Sequence, residues 1–376
     1  MIDCSRRIYK IHEDERKKSL ALLKRVLRFA SPFSKIRYLL PAVISILIIS
    51  HARSETLRLR ADGAIAATPH VQNSGVMVYP VAPDLNYGFT RPKKFSFVTN
   101  FPRDYKAYFT TAFRKQNWQK IGLVAAGTAL LLAYDQPLVD NAQSLAKRWK
   151  IPSDIKQKAI AHVGKFPIFV PASTGSLLYY IGDGTTHFLI AGSFMTYGFI
   201  ARDNRALQTA SQLAEGMLTV GTLVQALKHI TGHETPATAT VSAGRWRPFP
   251  NQADYLKHVS KYDAYPSGHL ATAMMCVTVI SRNYPEHAYI RPLGYSLMTV
   301  LAFQMMNNGV HWASDYPLAL ALGYSFGKII QSRGHTVIDA KAGAAVPLER
   351  GALKSLNVVP TILGRDGLGI ALRGEW

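Results

Sequence analysis

Residues 265–283 read YPSGHLATAMMCVTVISRN and contain the pattern that decides the fold. A short polar turn leads directly into an apolar run that starts at Leu270 and has the length of a helix. β-Branched residues do not alternate along this run or along the other apolar segments, so the sequence predicts an all-α fold, a compact helical bundle. The other segments, separated by short breaks, lie at about 121–134, 167–181, 186–201, 207–230, 290–306 and 316–331.

The bundle is predicted to occupy residues 116–333. Residues 53–115 carry no sustained periodicity and are broken by proline-containing turns, so we expect an irregular, extended N-terminal arm with little core of its own. Residues 334–376 are glycine-rich and end in strand-like alternation. They predict a short C-terminal tail, with a docked β-hairpin as a second possibility.

Residues 1–52 form a separate basic leader. An uncharged run of 13 residues, YLLPAVISILIIS at 38–50, follows many lysines and arginines and precedes the small residue Ala52. This order is typical of a secretory signal peptide, and a single membrane anchor is the alternative. Both interpretations predict an exported protein of the cell envelope, with its active site facing the periplasm or the exterior.

The composition indicates a folded protein with an acidic partner. Hydrophobic residues make up 48% and charged residues 18% of the 376 residues, which excludes a disordered or collagen-like chain. Lysine and arginine number 44 against 23 aspartate and glutamate, a net charge of +21, so nucleic acid, an anionic membrane or a phosphorylated substrate is expected. The two cysteines, Cys4 and Cys276, exclude a disulfide framework and a thiolate metal cluster.

The sequence leaves open whether the helices cross a membrane. Their uninterrupted apolar cores are shorter than the roughly 20 residues that a bilayer requires, and Glu215 and Lys228 interrupt segment 207–230. Aromatic residues near segment ends, such as Trp118 and Tyr134, are typical of a membrane interface. A membrane bundle with short spans and a soluble or peripheral bundle are both consistent with this pattern.

Three stretches at predicted helix boundaries carry residues for chemistry: KHITGHETP at 228–236, PSGH at 266–269 and GVHWASD at 309–315. In the second stretch, unpaired N–H groups at the start of a helix favour an anion. Ser267 can add its hydroxyl, and Gly268 lets the backbone approach closely. His269 would lie beside the anion, where an imidazolium can protonate a leaving group.

His311 and Asp315 are four residues apart and would share one face of a helix. A carboxylate that accepts from one imidazole nitrogen fixes the tautomer and leaves the other nitrogen as a nucleophile. Lys228 supplies a positive charge for phosphate oxygens. Each feature alone has an ordinary explanation, since Ser267-Gly268 also reads as a helix cap. Their joint occurrence indicates an acid, a nucleophile and an anion site.

In this order, the motifs resemble those of the type 2 phosphatidic acid phosphatase/vanadium haloperoxidase superfamily over residues 116–333. The resemblance implies a six-helix core, phosphoester hydrolysis without a metal or other cofactor, and a phosphohistidine intermediate. It also implies that His311 attacks phosphorus, Asp315 orients it and His269 protonates the leaving oxygen. The groups that would hold the phosphoryl oxygens are Lys228, Ser267 and the amide of Gly268.

Two positions depart from the family pattern, and both should carry phosphate-binding arginines. Thr235 occupies the position of an arginine in the first motif. In the third motif, Gln304-Met305 occupy the positions of Ser-Arg. One such donor contributes roughly 3–4 kcal/mol in a transition state. Because guanidinium geometry suits phosphate, we expect Arg245 or Arg247, in the loop between the first two motifs, to enter the site. The alternative is that both are solvated loop charges.

The sequence therefore predicts a phosphatase that acts on a lipid-linked phosphomonoester or diphosphate in association with a membrane. One alternative is a non-catalytic family member that binds an anionic lipid, which Thr235 and Met305 suggest. The other is a vanadate-dependent haloperoxidase with vanadate held in the same cradle. No nucleic-acid partner is expected, because export separates the chain from it. The particular phosphoester and the oligomeric state are left open.

Overall fold

The computed structural model describes residues 70–71, 75–163, 166–339, 345–346, 355–363 and 367–375. The leader predicted for residues 1–52 lies outside the described residues. The boundaries of the arm, the bundle and the tail stay predictions.

Helices dominate the described chain and build its main apolar core, which confirms the predicted all-α bundle. In chain order they are α1 (Ser96–Thr99), α2 (Phe101–Ala112), α3 (Trp118–Arg148), α4 (Thr174–Tyr180), α5 (Gly184–Ile200), α6 (Asn204–Thr231), α7 (Gln252–Lys257), α8 (Gly268–Asn283), α9 (Ile290–Asn307) and α10 (Tyr316–Ser332). The strands are β1 (His70–Val71), β2 (Met77–Ala82), β3 (Leu85–Phe89), β4 (Gln157–Val163), β5 (Phe166–Pro171), β6 (Thr336–Asp339), β7 (Ala345–Val346), β8 (Ser355–Leu363) and β9 (Gly367–Glu375).

The core lies where α8 packs against α6, α9 and α10. Leu213 of α6, Met275 of α8 and Phe326 of α10 are completely buried in it. Helices α8 and α10 approach closely because Gly323 has no side chain: a Cβ there would lie 2.2 Å from the carbonyl oxygen of Ala271. This packing fixes the central helix, and therefore the PSGH motif at its N-terminal end.

Helix α3 corrects the prediction of a break at 135–137, because it continues through Pro137 to Arg148. A proline inside a helix removes one hydrogen bond and crowds the preceding turn, but packing on the flanking residues can outweigh that cost. Asp135 and Val139 on either side of the proline are buried. Tertiary contacts therefore hold the helix where the local signal indicates a stop.

The apolar surface of α3 is largely free of protein contacts within the described chain. Residues Lys115–Arg148 form a helical stretch long and apolar enough to cross a membrane, with a mean hydropathy of 1.3 and only 6% of its most apolar window buried. Exposed apolar side chains also occur on α5, where Phe188 is 66% and Ile200 80% exposed. Such a surface is typical of a membrane or protein contact.

The predicted extended arm is wrong for residues 96–112, which form α1 and α2. Short strands and short helices follow one another here, and their apolar residues repeat at different intervals. No single periodicity therefore dominates the sequence. The preceding hairpin of β2 and β3 pairs with β6 from the tail, with Gly88 opposite Thr336. Arm and tail therefore meet in one small sheet, and β8 and β9 form a separate hairpin.

A second difference concerns segment 167–181, which was predicted as one apolar helix. Residues Phe166–Pro171 form β5, which pairs with β4, and only Thr174–Tyr180 are helical. A proline at each end of the run Pro167–Pro171 disfavours a helix there. The N-cap Ser173, whose Oγ accepts from the N–H of Ser176 at 3.1 Å, starts α4.

Candidate active site

The ends of two helices position the first two motifs. Helix α6 ends at Thr231 because Gly232 adopts a left-handed conformation, with φ at +56°, and this leaves Lys228 in the last turn. Ser267 caps α8: its Oγ accepts a hydrogen bond from the N–H of Leu270 at 3.4 Å. The N–H groups of the first turn of α8, from Gly268 onward, therefore form the predicted anion-binding end.

The third motif is not helical at His311, which corrects the prediction that His311 and Asp315 share a helix face. A 3₁₀ helix starts only at Ala313 and ends at Asp315. The predicted pair nevertheless forms, with Nδ1 of His311 3.1 Å from Oδ2 of Asp315. The tight turn achieves this because Oδ2 also accepts from the N–H of Trp312 at 2.8 Å.

Asp315 contacts a second histidine, His233 of the first motif. Nδ1 of His233 lies 3.4 Å from Oδ1 of Asp315, and its Nε2 lies 3.0 Å from the carbonyl oxygen of Ala243. The ring stacks on Trp246 with centroids 3.9 Å apart. Burial raises the pKa of Asp315, but the hydrogen bonds from His233 and His311 outweigh it, so the pKa is lowered overall. Asp315 is therefore ionised at neutral pH.

A buried carboxylate from α3 fixes the turn that carries Asp315. Asp135 accepts from the backbone N–H of Ser314 at 2.9 Å and from its hydroxyl at 2.5 Å. Both residues are completely buried. The continuous course of α3 through Pro137 thus contributes directly to the position of the candidate site.

His269 lies opposite His311, with ring centroids 6.0 Å apart and the rings at 72°. Tyr179 of α4 also packs against the His269 ring, with centroids 4.6 Å apart. Burial, together with the neighbouring side chains of His311 and Lys228, lowers the pKa of His269 well below its usual value. The free site therefore holds this imidazole in its neutral form at pH 7.

Lys228 is paired with a carboxylate that the motif analysis did not include. Its Nζ lies 2.7 Å from Oδ2 of Asp263, whose Oδ1 accepts from the hydroxyl of Tyr255 at 2.5 Å. Lys228 is only 7% exposed, so its charge faces little water. A phosphate that binds to the ammonium group of Lys228 therefore competes with the carboxylate of Asp263 for it.

Both loop arginines contact Glu234, and the entry of either guanidinium into the phosphate site stays a prediction. Nη1 of Arg247 donates to Oε1 of Glu234 at 2.5 Å, and Arg245 is exposed, with its backbone N–H donating to Glu234 at 2.8 Å. Burial raises the pKa of Glu234, but N–H groups of Thr240 and Arg245 and the guanidinium of Arg247 lower it to about 2. Glu234 thus holds the loop through the arginine that was expected to replace the family residue.

The second departure places a sulfur atom beside the candidate phosphate site. Sδ of the buried Met305 lies 3.8 Å from Oγ of Ser267. The amides of Asn307 and Asn308 donate to the backbone carbonyls of Pro152 and Ser153 at 3.2 and 2.5 Å. They therefore tie the end of α9 to the segment after α3.

A cavity of about 250 Å³ adjoins the first and third motifs. Its lining includes Thr235, Asp263, and Gly309 and Val310 immediately before the candidate nucleophile. His311 itself is 1% exposed. Among the described residues, no group of three or more His, Cys, Asp or Glu side chains is arranged to hold a metal ion.

The sequence predicted His311, Asp315 and His269, which the structure brings together, and it missed several side chains that contact them. His233 lies within the first motif, five residues after Lys228, and this position in the motif could have identified it. Asp263, Asp135 and Tyr179 reach the site from other parts of the chain, and no local pattern marks them. The arrangement as a whole offers a buried nucleophile, a neutral imidazole opposite it and a helix terminus for an anion.

Comparisons with known proteins agree with the motifs. Residues 209–337 match the model of the PAP2 superfamily. The chain is 30% identical over 117 residues to lipid A 1-phosphatase of Porphyromonas gingivalis; this covers 31% of the chain and 22% of that protein, so the chain spans about a fifth of the length of this relative. The crystal structure of Aquifex aeolicus LpxE matches 42% of this chain and 83% of its own, with 20% identity and a TM-score of 0.32. All three motifs lie within residues 209–337, the part of the chain that matches the PAP2 superfamily.

Proposed function

We propose that this chain is a metal-independent phosphatase that hydrolyses a phosphomonoester or diphosphate carried on a lipid. The observation that carries the proposal is the pair of His311 and Asp315 facing His269 across 6.0 Å, beside the N-terminal end of α8. The name of the matched relative, lipid A 1-phosphatase, supports a phosphorylated lipid as the substrate class.

In the first step, Nε2 of His311 attacks phosphorus. Asp315 accepts from Nδ1, so Nε2 keeps its lone pair and faces away from the carboxylate. The negative charge of the bound phosphate raises the pKa of His269, so the ring takes up a proton from solvent in the substrate complex. The bond from phosphorus to the leaving oxygen breaks as the bond from Nε2 forms, and His269 gives this proton to that oxygen. The products are the free alcohol, or the shorter phosphate, and a phosphohistidine at His311.

In the second step, water attacks the phosphohistidine. His269, now neutral, takes a proton from the water, and the bond between phosphorus and Nε2 breaks. Inorganic phosphate leaves, and both histidines return to their starting states. The phosphoryl oxygens are held by the N–H groups of Gly268 and the following residues, together with the hydroxyl of Ser267 and the ammonium of Lys228.

We further propose that the protein is exported and associates with a membrane of the cell envelope. The long, apolar and little-buried stretch within Lys115–Arg148 supports contact with a bilayer. Because Asp135 of the same helix bonds Ser314, this contact would also anchor the candidate site close to a lipid substrate. An active site that faces the periplasm or the exterior is part of this proposal.

A non-catalytic, lipid-binding role is the second candidate. This candidate is supported by Met305, which lies next to Ser267, and by the pairing of Arg247 with Glu234, because both favour fewer phosphate-binding arginines than the family pattern has. Such a protein would bind a phosphorylated headgroup without turnover.

Phosphate release decides between these candidates. The chain purified in detergent is assayed with lipid and soluble phosphoesters, beside His311→Ala and the control His258→Ala, which removes an exposed histidine. We expect at least a thousandfold loss in His311→Ala and wild-type rates in His258→Ala. No turnover in a folded wild-type sample that still binds the lipids would select the binding role, and vanadate-dependent bromide oxidation would select the haloperoxidase.

A further inference from the structure

A cavity of about 400 Å³ lies toward the other end of α8 from the PSGH motif. From Gly268 to Arg282 the helix rises about 21 Å, at 1.5 Å per residue. The cavity is therefore separate from the candidate active site. Its lining comes from three helices and consists of Thr278, Ser281, Arg282, Arg291, Tyr295 and Tyr324.

Two guanidinium groups give this cavity its charge. Nε of Arg282 donates to Oε1 of Gln331 at 3.0 Å, and the buried Gln331 donates back to the carbonyl oxygen of Arg282 at 3.2 Å. These bonds fix the arginine and leave its two terminal nitrogens for a ligand. Arg291 is exposed in the first turn of α9. In the part of the chain that the structure describes, neither arginine forms an ion pair with a carboxylate.

The charges of the two arginines act on neighbouring titratable groups. Burial and the charge of Arg282 lower the pKa of Lys328. Burial raises the pKa of Tyr87, and the charges of Arg282 and Arg291 both oppose that rise, so the two guanidiniums act on the same region. The carboxylate of Glu286 also acts there, but its Oε1 lies 2.6 Å from Nη1 of Arg205.

We propose that this cavity binds a phosphate-bearing anion between Arg282 and Arg291, either free inorganic phosphate or the phosphate of a lipid headgroup. Guanidinium groups bind phosphate through paired, charge-assisted hydrogen bonds. The hydroxyls of Thr278 and Ser281 donate to carbonyl oxygens of α8, at 2.7 and 3.4 Å, so the arginines supply the charged donors for the anion. This site is additional to the proposed phosphatase activity and does not depend on it.

The test compares Arg282→Gln/Arg291→Gln with the wild type and with Lys147→Gln/Arg148→Gln, which removes the same charge from the exposed end of α3. One arm measures equilibrium binding of radiolabelled inorganic phosphate to the full chain in detergent. The other measures flotation with phosphatidylcholine vesicles, with and without phosphatidylglycerol. A Lys228→Gln variant identifies the share of phosphate that binds at the active site.

We expect the cavity variant to bind at least one of the two probes tenfold more weakly, with unchanged kinetics on a soluble phosphoester. Weaker binding of inorganic phosphate identifies the free ion as a ligand, and weaker binding of phosphatidylglycerol vesicles alone identifies the headgroup. Binding of both probes equal to that of Lys147→Gln/Arg148→Gln overturns the proposal. If the double variant does not fold, Arg291→Gln decides: its arginine is exposed, and unchanged binding of both probes would likewise overturn the proposal.

Discussion

At the scale of single residues, Asp315 controls the candidate nucleophile. The carboxylate is completely buried, yet it is contacted by His311, His233 and the N–H of Trp312. A buried charge is tolerated when hydrogen bonds replace its water. These contacts hold the His311 ring in one orientation, with Nε2 directed away from Asp315 and available for attack.

The pH dependence of turnover follows from His269. This residue must carry a proton to act as the general acid, and its pKa in the free protein lies well below the usual histidine value of 6.5. The protonated fraction falls as pH rises through that pKa, so we expect kcat/KM to decline with increasing pH, from a point below 6.5. The negative charge of bound phosphate raises this pKa, so the decline in kcat should begin at a higher pH than that in kcat/KM.

The control is His269→Ala, measured over the same pH range. With p-nitrophenyl phosphate, whose leaving oxygen needs little protonation, this variant should keep much more activity than with an alkyl phosphate and should lose the decline. A decline in kcat/KM that persists in His269→Ala, or that starts above pH 6.5 in the wild type, contradicts the assignment of His269 as the acid.

Residues at helix ends were predictable from the sequence, and residues that approach through loops were not. The positions of Ser267 and Lys228 follow from local signals, a helix cap and a glycine after the last turn. The side chain of Arg247 is directed by Glu234, which the loop brings close only in the folded chain. Spacing along the sequence therefore predicted which candidate groups come together, but not the partner of each charge.

At the scale of secondary structure elements, the turn between α4 and α5 supports His269. Gly182 in this turn packs closely against the histidine and leaves no room for a side chain. A Cβ there would be 3.1 Å from Cβ of His269 and 2.3 Å from a methyl group of Leu301. Tyr179, three residues earlier, packs against the His269 ring. The position of the acid thus depends on the close approach of this turn to α8 and α9.

We expect Gly182→Ala to destabilise the protein by about 1–3 kcal/mol, because the added methyl group overpacks Leu301, and to lower kcat at least tenfold by shifting His269. The matched control is Gly192→Ala in α5, where a Cβ would meet nothing within 4 Å. Thermal unfolding and steady-state kinetics of both variants provide the measurement. Equal stability and equal kcat for the two variants would contradict the proposed role of the turn.

Most helices were predictable because each has its own apolar periodicity and clear punctuation. The exceptions arise where packing or strand pairing overrides the apolar pattern. Helix α3 passes through Pro137 because residues on both sides are buried, and 166–171 forms a strand because β4 lies beside it. Whether the protein contacts a membrane also depends on α3, since the surface of this helix is apolar and little buried.

At the scale of the whole molecule, a buried charge cluster joins the N-terminal arm to the bundle. Arg333, just after α10, donates to Asp104 of α2 and to Glu215 of α6, the latter at 2.5 Å. Asn100 also donates to Glu215, at 3.0 Å. Glu215, which interrupts an apolar segment in the sequence, therefore serves as a structural contact between the arm and two core helices.

Removal of Arg333 should leave two buried carboxylates without a cation. We expect Arg333→Ala to lower the free energy of unfolding by about 3 kcal/mol and to increase proteolysis of residues 96–112. Arg103→Ala, which removes an exposed arginine beside Asp104, is the control and should change stability by less than about 0.5 kcal/mol. Denaturant unfolding and limited proteolysis measure both effects, and equal behaviour of the two variants would argue against the cluster as the link.

The phosphohistidine at His311 is the central claim, and trapping it is the most direct test. The chain is mixed with a radiolabelled phosphoester that has a good leaving group and is quenched within one turnover, in the wild-type, His269→Ala and His311→Ala forms. We predict a covalent label that is stable in base and labile in acid, that accumulates in His269→Ala and that is absent from His311→Ala. Label of the same stability in His311→Ala, or phosphate release by that variant at the wild-type rate, would contradict the account.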